Sequence, residues 1–368
     1  MTAASDSLGQ KVARKVLRES LRVKRGESVT IESWSESLPW AVPFVNEARR
    51  IGARPLMLYE DEEAFWEALK TGSARATGQV GTHEWSALNE TDAYVFFFGP
   101  AEWTRLDSLS GRQTAGVAAY NAEWYRRAAK ARLRGARMYL GRTSESVAQR
   151  FQLDLDAWRT ALSKASLASP KRMHELGERV GNRLRGGKRV RITHENGTDL
   201  EFRLGRFPIQ LDDGLVDEAD LRAKNNMATI PGGVVGVAID HTSAEGTAVG
   251  NHRVYPDTGP AEGIRWTFRD GRLVEHSYEK GGAEFDKAYS AAPKKGRDRL
   301  SYVSIGLNPD ISGCPQMEDQ ELGAVLLRIG GNQFVGGKNR SPFGRWMALT
   351  GADLAIDDRP VIRHGEIV

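Results

Sequence analysis

The side chains best able to do chemistry crowd into one glycine-rich stretch, NNMATIPGGVVGVAIDHTSAEGTAVGNHRVYP, at 225 to 256. It sets Asp240, His241, Thr242, Glu245, Asn251 and His252 within a few residues of one another, interrupted by Gly232, Gly233, Gly236, Gly246 and Gly250. Glycines let a backbone approach a ligand closely, and they serve tight β turns equally well. Imidazole titrates near neutral pH, so His241 is a candidate general base toward water, with a carboxylate to fix its tautomer or raise its pKa. Neighbouring residues on a strand point to opposite faces, so Asp240 serves His241 only where the strand has ended. Glu245 is the better-spaced partner. The same residues also read as polar groups on a solvated loop.

Cys314 sits between Gly313 and Pro315 and is the only cysteine. As a nucleophile it would need a nearby base to make thiolate; otherwise it is a buried, inert thiol. One cysteine excludes an internal disulfide and structural zinc on thiolates. Asn308, in IGLNPD, signals a turn, and its amide can also donate to a substrate oxygen. None of the seven histidines stands in an HExxH pattern. Trp34, Trp85 and Trp103 fall near expected strand ends and could wall an aromatic pocket, although most of the nine tryptophans need only core placement.

The elements that must position these groups change character along the chain. The first third alternates helix and strand. VARKVLRESLRV is amphipathic, Gly26 ends it, and ESVTIESW is a β-branched strand. Pro39 and Pro43 bracket the start of a second helix running through FVNEARRIGA, and ARPLMLYE follows as a strand. DEEAFWEALK is a third helix, AYVFFFG a strand covered on both faces, and a helix around AAYNAEWYRRAAKARLRG leads to ARMYLGRTS. This pattern predicts a largely parallel sheet with helices on both sides. Two further helices follow. In KRMHELGERVGNRLRGG, Met173, Leu176, Val180 and Leu184 recur at three- and four-residue intervals as one buried stripe. Beyond it, strands flank Asn196-Gly197 and Asp270-Gly271, dipeptides that tight hairpins prefer. The expectation is an α/β domain at 1–187 and a β-rich α+β domain at 188–368.

The chain has 368 residues, 27% charged and 40% hydrophobic, which is long enough to bury real cores without staples. Lys and Arg number 52 against 48 for Asp and Glu, a formal +4, too small for a nucleic-acid signature. There is no apolar run of membrane-spanning length, and MTAASDSLGQKVARKV lacks a signal-peptide core. A cytoplasmic protein without a membrane or nucleic-acid partner is expected.

Five landmarks resemble one known family in order and spacing: IPGGVVGVAIDHTSAEG (230 to 246), GIRWTFRDGRLVEHSYEKGG (263 to 282), SYVSIGLNPDI (301 to 311), ELGAVLLRIGGNQ (321 to 333) and GGKNRSPFGRW (336 to 346). The C-terminal half looks like the M29 aminopeptidases, metallopeptidases whose relatives include iron-dependent 2,5-dihydroxypyridine dioxygenases. The resemblance implies that fold and a homodimer or larger homo-oligomer. Its metal ligands would fall on Val234, Tyr302, Leu326, Gly344 and Trp346, and its catalytic tyrosine on Gln333 or Phe334. Apolar side chains cannot coordinate a divalent cation, so neither metal nor another cofactor is expected.

A cleft relined in this way suits a small planar molecule. The expected function is metal-independent hydrolysis of a C–N bond in a small heteroaromatic or amide-like compound, such as displacement of a ring amino or nitro group. His241, Glu245 and Asp240 would be the catalytic residues. Asn251, His252, Asn308, Tyr302, Arg345 and Trp346 would bind the substrate and steady its charge. The alternative is a non-catalytic small-molecule binding or assembly protein on the same scaffold, and a third route is covalent chemistry at Cys314.

Overall fold

The structure, a computed structural model, describes residues 7–78 and 81–368. Residues 1–6, which carry part of the stretch read for a signal segment, lie outside the described residues. The chain divides into two compact units, one of residues 1–170 and 214–232, the other of residues 171–213 and 233–368.

The first unit is built on a five-stranded sheet. Its strands are β1 (Ser28–Trp34), β2 (Arg54–Glu60), β3 (Ala93–Phe97), β4 (Arg134–Met138) and β7 (Met227–Ile230), in the spatial order β2-β1-β3-β4-β7. Every pairing is parallel. Local sequence sets the crossovers. The helix Leu38–Ile51 ends on Gly52, whose φ of 83° is the left-handed conformation that glycine adopts without strain. The helix Glu62–Thr71 is capped by Asp61, whose carboxylate accepts from the Ala64 N–H at 2.9 Å. The helix Gly111–Ala131 opens on a reciprocal Ser110 and Gln113 capping box. Pro43 lies inside the second helix instead of bracketing it. From β1 the chain moves outward to β2, then returns to β3 on the other side. The carboxyl ends of β1 and β3 therefore flank the crevice where connections diverge, which is where open α/β sheets bind ligands.

The second unit is mostly antiparallel. Its strands are β5 (Arg189–His194), β6 (Thr198–Asp212), β8 (Val234–Ile239), β9 (Glu245–Val249), β10 (Arg265–Arg269), β11 (Arg272–Ser277), β12 (Leu300–Gly306), β13 (Val325–Gly330), β14 (Gly344–Leu349), β15 (Asp353–Ile356), β16 (Arg359–Arg363) and β17 (Glu366–Ile367). The long β6 carries the sheet round a bend: its first half pairs with β5, and after a register shift between Leu204 and Ile209 its second half pairs with β8. The expected hairpins form, β5 with β6 and β10 with β11, the latter turning on Asp270 and Gly271 at φ of 52° and 69°. A parallel α/β part and a large antiparallel part match the expected fold class.

The compact units divide the chain differently from the boundary expected near 187, in two respects. The helix Pro170–Gly186 belongs to the second unit beyond its first residue. Its small residues bring it onto that unit's sheet: a Cβ at Gly177 would collide with Leu211, and one at Gly181 would press on Ile209. In addition, residues 214–232 return to the first unit because β7 extends the parallel sheet beside β4.

Candidate functional site

Register assembles a cavity at the carboxyl ends of the parallel strands. Glu32 and Trp34, two apart on β1, share a face. Phe96 of β3 lies opposite Glu32, and Glu60 of β2 lies opposite Trp34. The helix Gly111–Ala131 adds Val117, Tyr120, Asn121 and Tyr125, and the helix Thr82–Asn89 adds Glu84. With Phe65, Phe98 and Arg142 these side chains enclose about 430 Å³. That volume lies within the roughly 300–1,000 Å³ usual for small-molecule sites.

The surroundings hold the lining in place. Glu62, buried on the third helix, accepts from Ala101 N at 3.0 Å, Glu102 N at 2.8 Å and the Trp66 indole N–H at 3.3 Å, which fixes the loop after β3. In that loop Gly99 packs on the Trp34 indole so closely that a Cβ would overlap it. Trp34 also meets Phe65 edge to face at 5.1 Å. The Arg142 guanidinium lies 4.2 Å over the Phe98 ring and 5.2 Å from that of Trp103. Trp85 stacks on Tyr120 at 6.1 Å. Of the three tryptophans singled out in the sequence, Trp34 thus lines the cavity while Trp85 and Trp103 support residues that do.

Three carboxylates face this apolar enclosure. Burial raises Glu32 from 4.5 to about 7, with Glu60 and Glu84 adding repulsion against the hydrogen bond donated by the Tyr94 hydroxyl, which lowers it. Glu60, at the exposed rim, is also raised, by partial desolvation and by Glu84. The Tyr120 hydroxyl donates to Glu84 Oε1 at 2.7 Å, and burial with the nearby carboxylates pushes both Tyr94 and Tyr120 up. On the donor side, the Trp34 indole N–H and Arg142 Nε are buried and have no hydrogen-bond partner. The cavity thus offers acceptors for a positive or hydrogen-bearing group, the Arg142 side chain as a cationic element of its lining, and aromatic walls for a planar body. Glu32 also titrates where a general acid or base works best.

The catalytic and substrate-binding residues expected from sequence all lie in the second unit, and the structure does not gather them into one site. Asp240, just past β8, accepts from Arg203 at 2.8 Å and from the Thr242 hydroxyl at 2.6 Å. Glu245 is exposed and accepts from the Asp270 N–H. The His241 ring is bonded to neither carboxylate; its carbonyl accepts from Arg299. The amide of Asn251 pairs with the Thr350 backbone at 2.8 and 2.9 Å. His252 stands between Glu321 Oε2 and the Arg253 carbonyl, each at 2.9 Å. Asn308 is wholly buried and its side-chain oxygen accepts from Asp310 N at 3.0 Å, a turn contact. Gly306 pairs with Val234 at one end of β8, and His241 lies beyond the other end, so His241 and Asn308 are roughly 20 Å apart along the strands.

One part of the expected cleft does assemble. Ala238, Tyr302, Arg328 and Trp346 stand opposite one another across β8, β12, β13 and β14. Tyr302 and Leu326 are buried together, with Trp346 packed against them. The Arg328 guanidinium lies 4.9 Å over Phe334 and 5.9 Å from Trp346, and burial lowers its pKa. Strand alternation assigns Arg345 to the opposite face from Trp346. A tyrosine, three apolar or aromatic side chains and a glycine do not fit a divalent cation, and the Arg328 guanidinium stands against that glycine, Gly344. Among the described residues no group of three or more His, Cys, Asp or Glu could hold a metal. Cys314 is buried and desolvation raises its thiol to about 11, so it is protonated at neutral pH and is no ready nucleophile.

Sequence reasoning missed the first unit's cavity. Its available signal was Glu32, an acid near the carboxyl end of the first strand of a sheet expected to be covered on both faces.

No profile of a known protein family matches the sequence, and no curated protein does. Solved structures do match over the full length. A 2,5-dihydroxypyridine dioxygenase from Pseudomonas putida KT2440 is similar with a TM-score of 0.64 at 17% identity, over 99% of this chain and 98% of that one. Wild-type AmpT from Thermus thermophilus is similar with a TM-score of 0.65 at 18% identity, over 98% of this chain and 99% of that one. At such identities the likeness is one of fold, and the fold is M29-like.

Proposed function

We propose that the protein is a metal-independent hydrolase of a C–N bond in a small heteroaromatic or amide-like compound, working in the cavity of the first unit. The observation that carries this reading is Glu32, placed at the β1/β3 crevice among aromatic walls with its proton affinity raised to about 7. An acid so placed exchanges protons at neutral pH without a metal. The ionised carboxylate takes a proton from water as the oxygen attacks the carbon that bears nitrogen. The C–O bond forms, the C–N bond breaks, and the proton on Glu32 passes to the departing nitrogen. The Arg142 guanidinium, in the cavity lining, suits the negative charge that gathers on a ring substituent or carbonyl oxygen. In this reading the acid–base role falls to Glu32 and not to His241, Glu245 or Asp240.

The alternative, a binding protein without turnover, is favoured by one observation: Glu32, Glu60 and Glu84 repel one another, and an amine cation among them relieves that repulsion whether or not a bond breaks. Incubation with a panel of heteroaromatic amines, nitroaromatics and lactams, read by mass spectrometry, separates the two. Hydrolysis predicts a product that persists after chelation and falls by roughly 10²- to 10⁴-fold in Glu32→Gln with the fold intact. Ligand-dependent stabilisation with no product supports the binding protein. A transition metal required for turnover overturns the metal-free mechanism. The cytoplasmic setting and the homodimer remain proposals, the latter resting on the family resemblance and tested by sedimentation. No helix among the described residues is long and apolar enough to cross a membrane.

A further inference from the structure

The second unit carries a concavity of opposite character. It spans about 1010 Å³ and is framed by the turn at 293–296, the loop at 338–342, and Arg272, Arg299 and His241. No carboxylate is in its lining. Arg272 is paired with Asp298 at 2.6 Å. Arg299 is held by the Asp270 carbonyl at 2.7 Å, with desolvation and Arg272 lowering its pKa. Lys294, Lys295, Lys338 and Arg340 are exposed and form no ion pair with any described residue.

What keeps these like charges together is a neutral device. Asn339 is buried between the two loops and donates through its side-chain amide to the Gly296 carbonyl at 2.8 Å and to the Gly330 carbonyl at 2.7 Å. Its backbone N–H donates to Asn332 Oδ1 at 2.8 Å, and its own side-chain oxygen accepts from Ser341 N at 3.1 Å. Gly296 takes a φ of 82°, and a Cβ there would strike the Asn339 amide. Lysines on a merely solvated face drift apart or pair with carboxylates. Here hydrogen bonds fix two cationic loops side by side at the rim of one hollow, with counter-charge missing from its lining. A preorganised field of this kind attracts a multiply charged anion, and the openness of the hollow suits several charged groups in a row more than one enclosed group.

We infer that this basin binds a small molecule bearing a chain of phosphates, gripped by Lys294, Lys295, Lys338, Arg340 and Arg299. The site lies wholly in the second unit and does not depend on the proposed hydrolase cavity.

The test is calorimetric titration of the full-length protein with inorganic triphosphate at low and at physiological salt. The variants are Lys338→Glu/Arg340→Glu and a charge-matched control, Lys171→Glu/Lys130→Glu, whose lysines lie outside the basin. All four positions are on the surface, and circular dichroism checks their folding. The expected result is saturable one-to-one binding, weakened roughly tenfold or more by the basin variant and little changed by the control. Binding should weaken as salt rises. Equal losses in both variants, or no saturable binding at low salt, overturn the inference. Single-stranded RNA bound far more tightly than triphosphate, with a salt slope that the basin variant flattens, also overturns it and assigns the surface to nucleic acid.

Discussion

The two hollows of this molecule treat charge in opposite ways. In the first unit, carboxylates are pressed into an aromatic enclosure and answer by holding protons: Glu32 rises to about 7, and Glu60 rises with it. In the second unit the lysines are exposed to water, and their loops are fixed through Asn339. Burial converts like-charge repulsion into a proton reservoir, which is a chemical resource. Exposure leaves the same repulsion as a field, which recruits ions without reacting with them. The first arrangement suits catalysis and the second suits binding.

That contrast breaks most visibly on stability against pH. An acid whose folded-state pKa lies above its unfolded value binds more protons folded than unfolded between the two. Stability therefore falls as pH rises through that window, here from about 4.5 to about 7. Glu32→Gln removes the penalty. The variant and the parent should melt alike near pH 4, and the variant should be the more stable at pH 8 by about 3 kcal/mol. Thermal melts across pH measure this, and parallel curves at all pH values would mean that Glu32 ionises as freely as an exposed acid. The basin variant Lys338→Glu/Arg340→Glu should show no comparable change.

A second difference is steric. The cavity wall rests on the contact between Gly99 and the Trp34 indole. Gly99→Ala forces the ring aside, with a cost of about 1 to 3 kcal/mol expected for overpacking, and it should weaken binding of an aromatic ligand in the cavity. Triphosphate binding in the basin should be unaffected. An unchanged melting temperature and ligand affinity would show that Trp34 has room to move and does not shape the site.

How much of this was legible in the sequence follows from which forces are local. β1 to β4, their helices and the hairpins at Asn196-Gly197 and Asp270-Gly271 are written in short-range terms: β-branched runs, caps and turn residues. β7 was not, since MATI is only four residues and becomes a strand by pairing with β4, far away in sequence. The helix after Pro170 was visible, but not the sheet it packs on. The glycine-rich stretch at 225 to 256 drew the functional reading because it concentrates polar residues, yet its two ends serve different units. Glu32 was hidden for the opposite reason. In ESVTIESW it looks like the polar half of an alternating strand, and only the register that sets it against Phe96 makes it a cavity acid.

His252 sharpens the comparison from the other side, as a titrating group that has found its counter-charge. Nδ1 faces the Arg253 carbonyl and Nε2 faces the Glu321 carboxylate, so both nitrogens donate when the ring is protonated. The hydrogen bond to Glu321 raises its pKa above the ordinary 6.5, with burial working against the rise. For a base raised in the folded state, the stabilisation is fully present below the unfolded value and fades as pH climbs through the folded one. His252→Gln should therefore cost about 1 kcal/mol at pH 6 and progressively less at alkaline pH, a slope opposite in origin to that of Glu32, though both favour the lower pH. A loss equal at pH 6 and pH 9 would assign His252 to packing alone. Paired charge and frustrated charge would then no longer be distinguishable by titration, and the acid in the aromatic cavity would have to be identified by its chemistry.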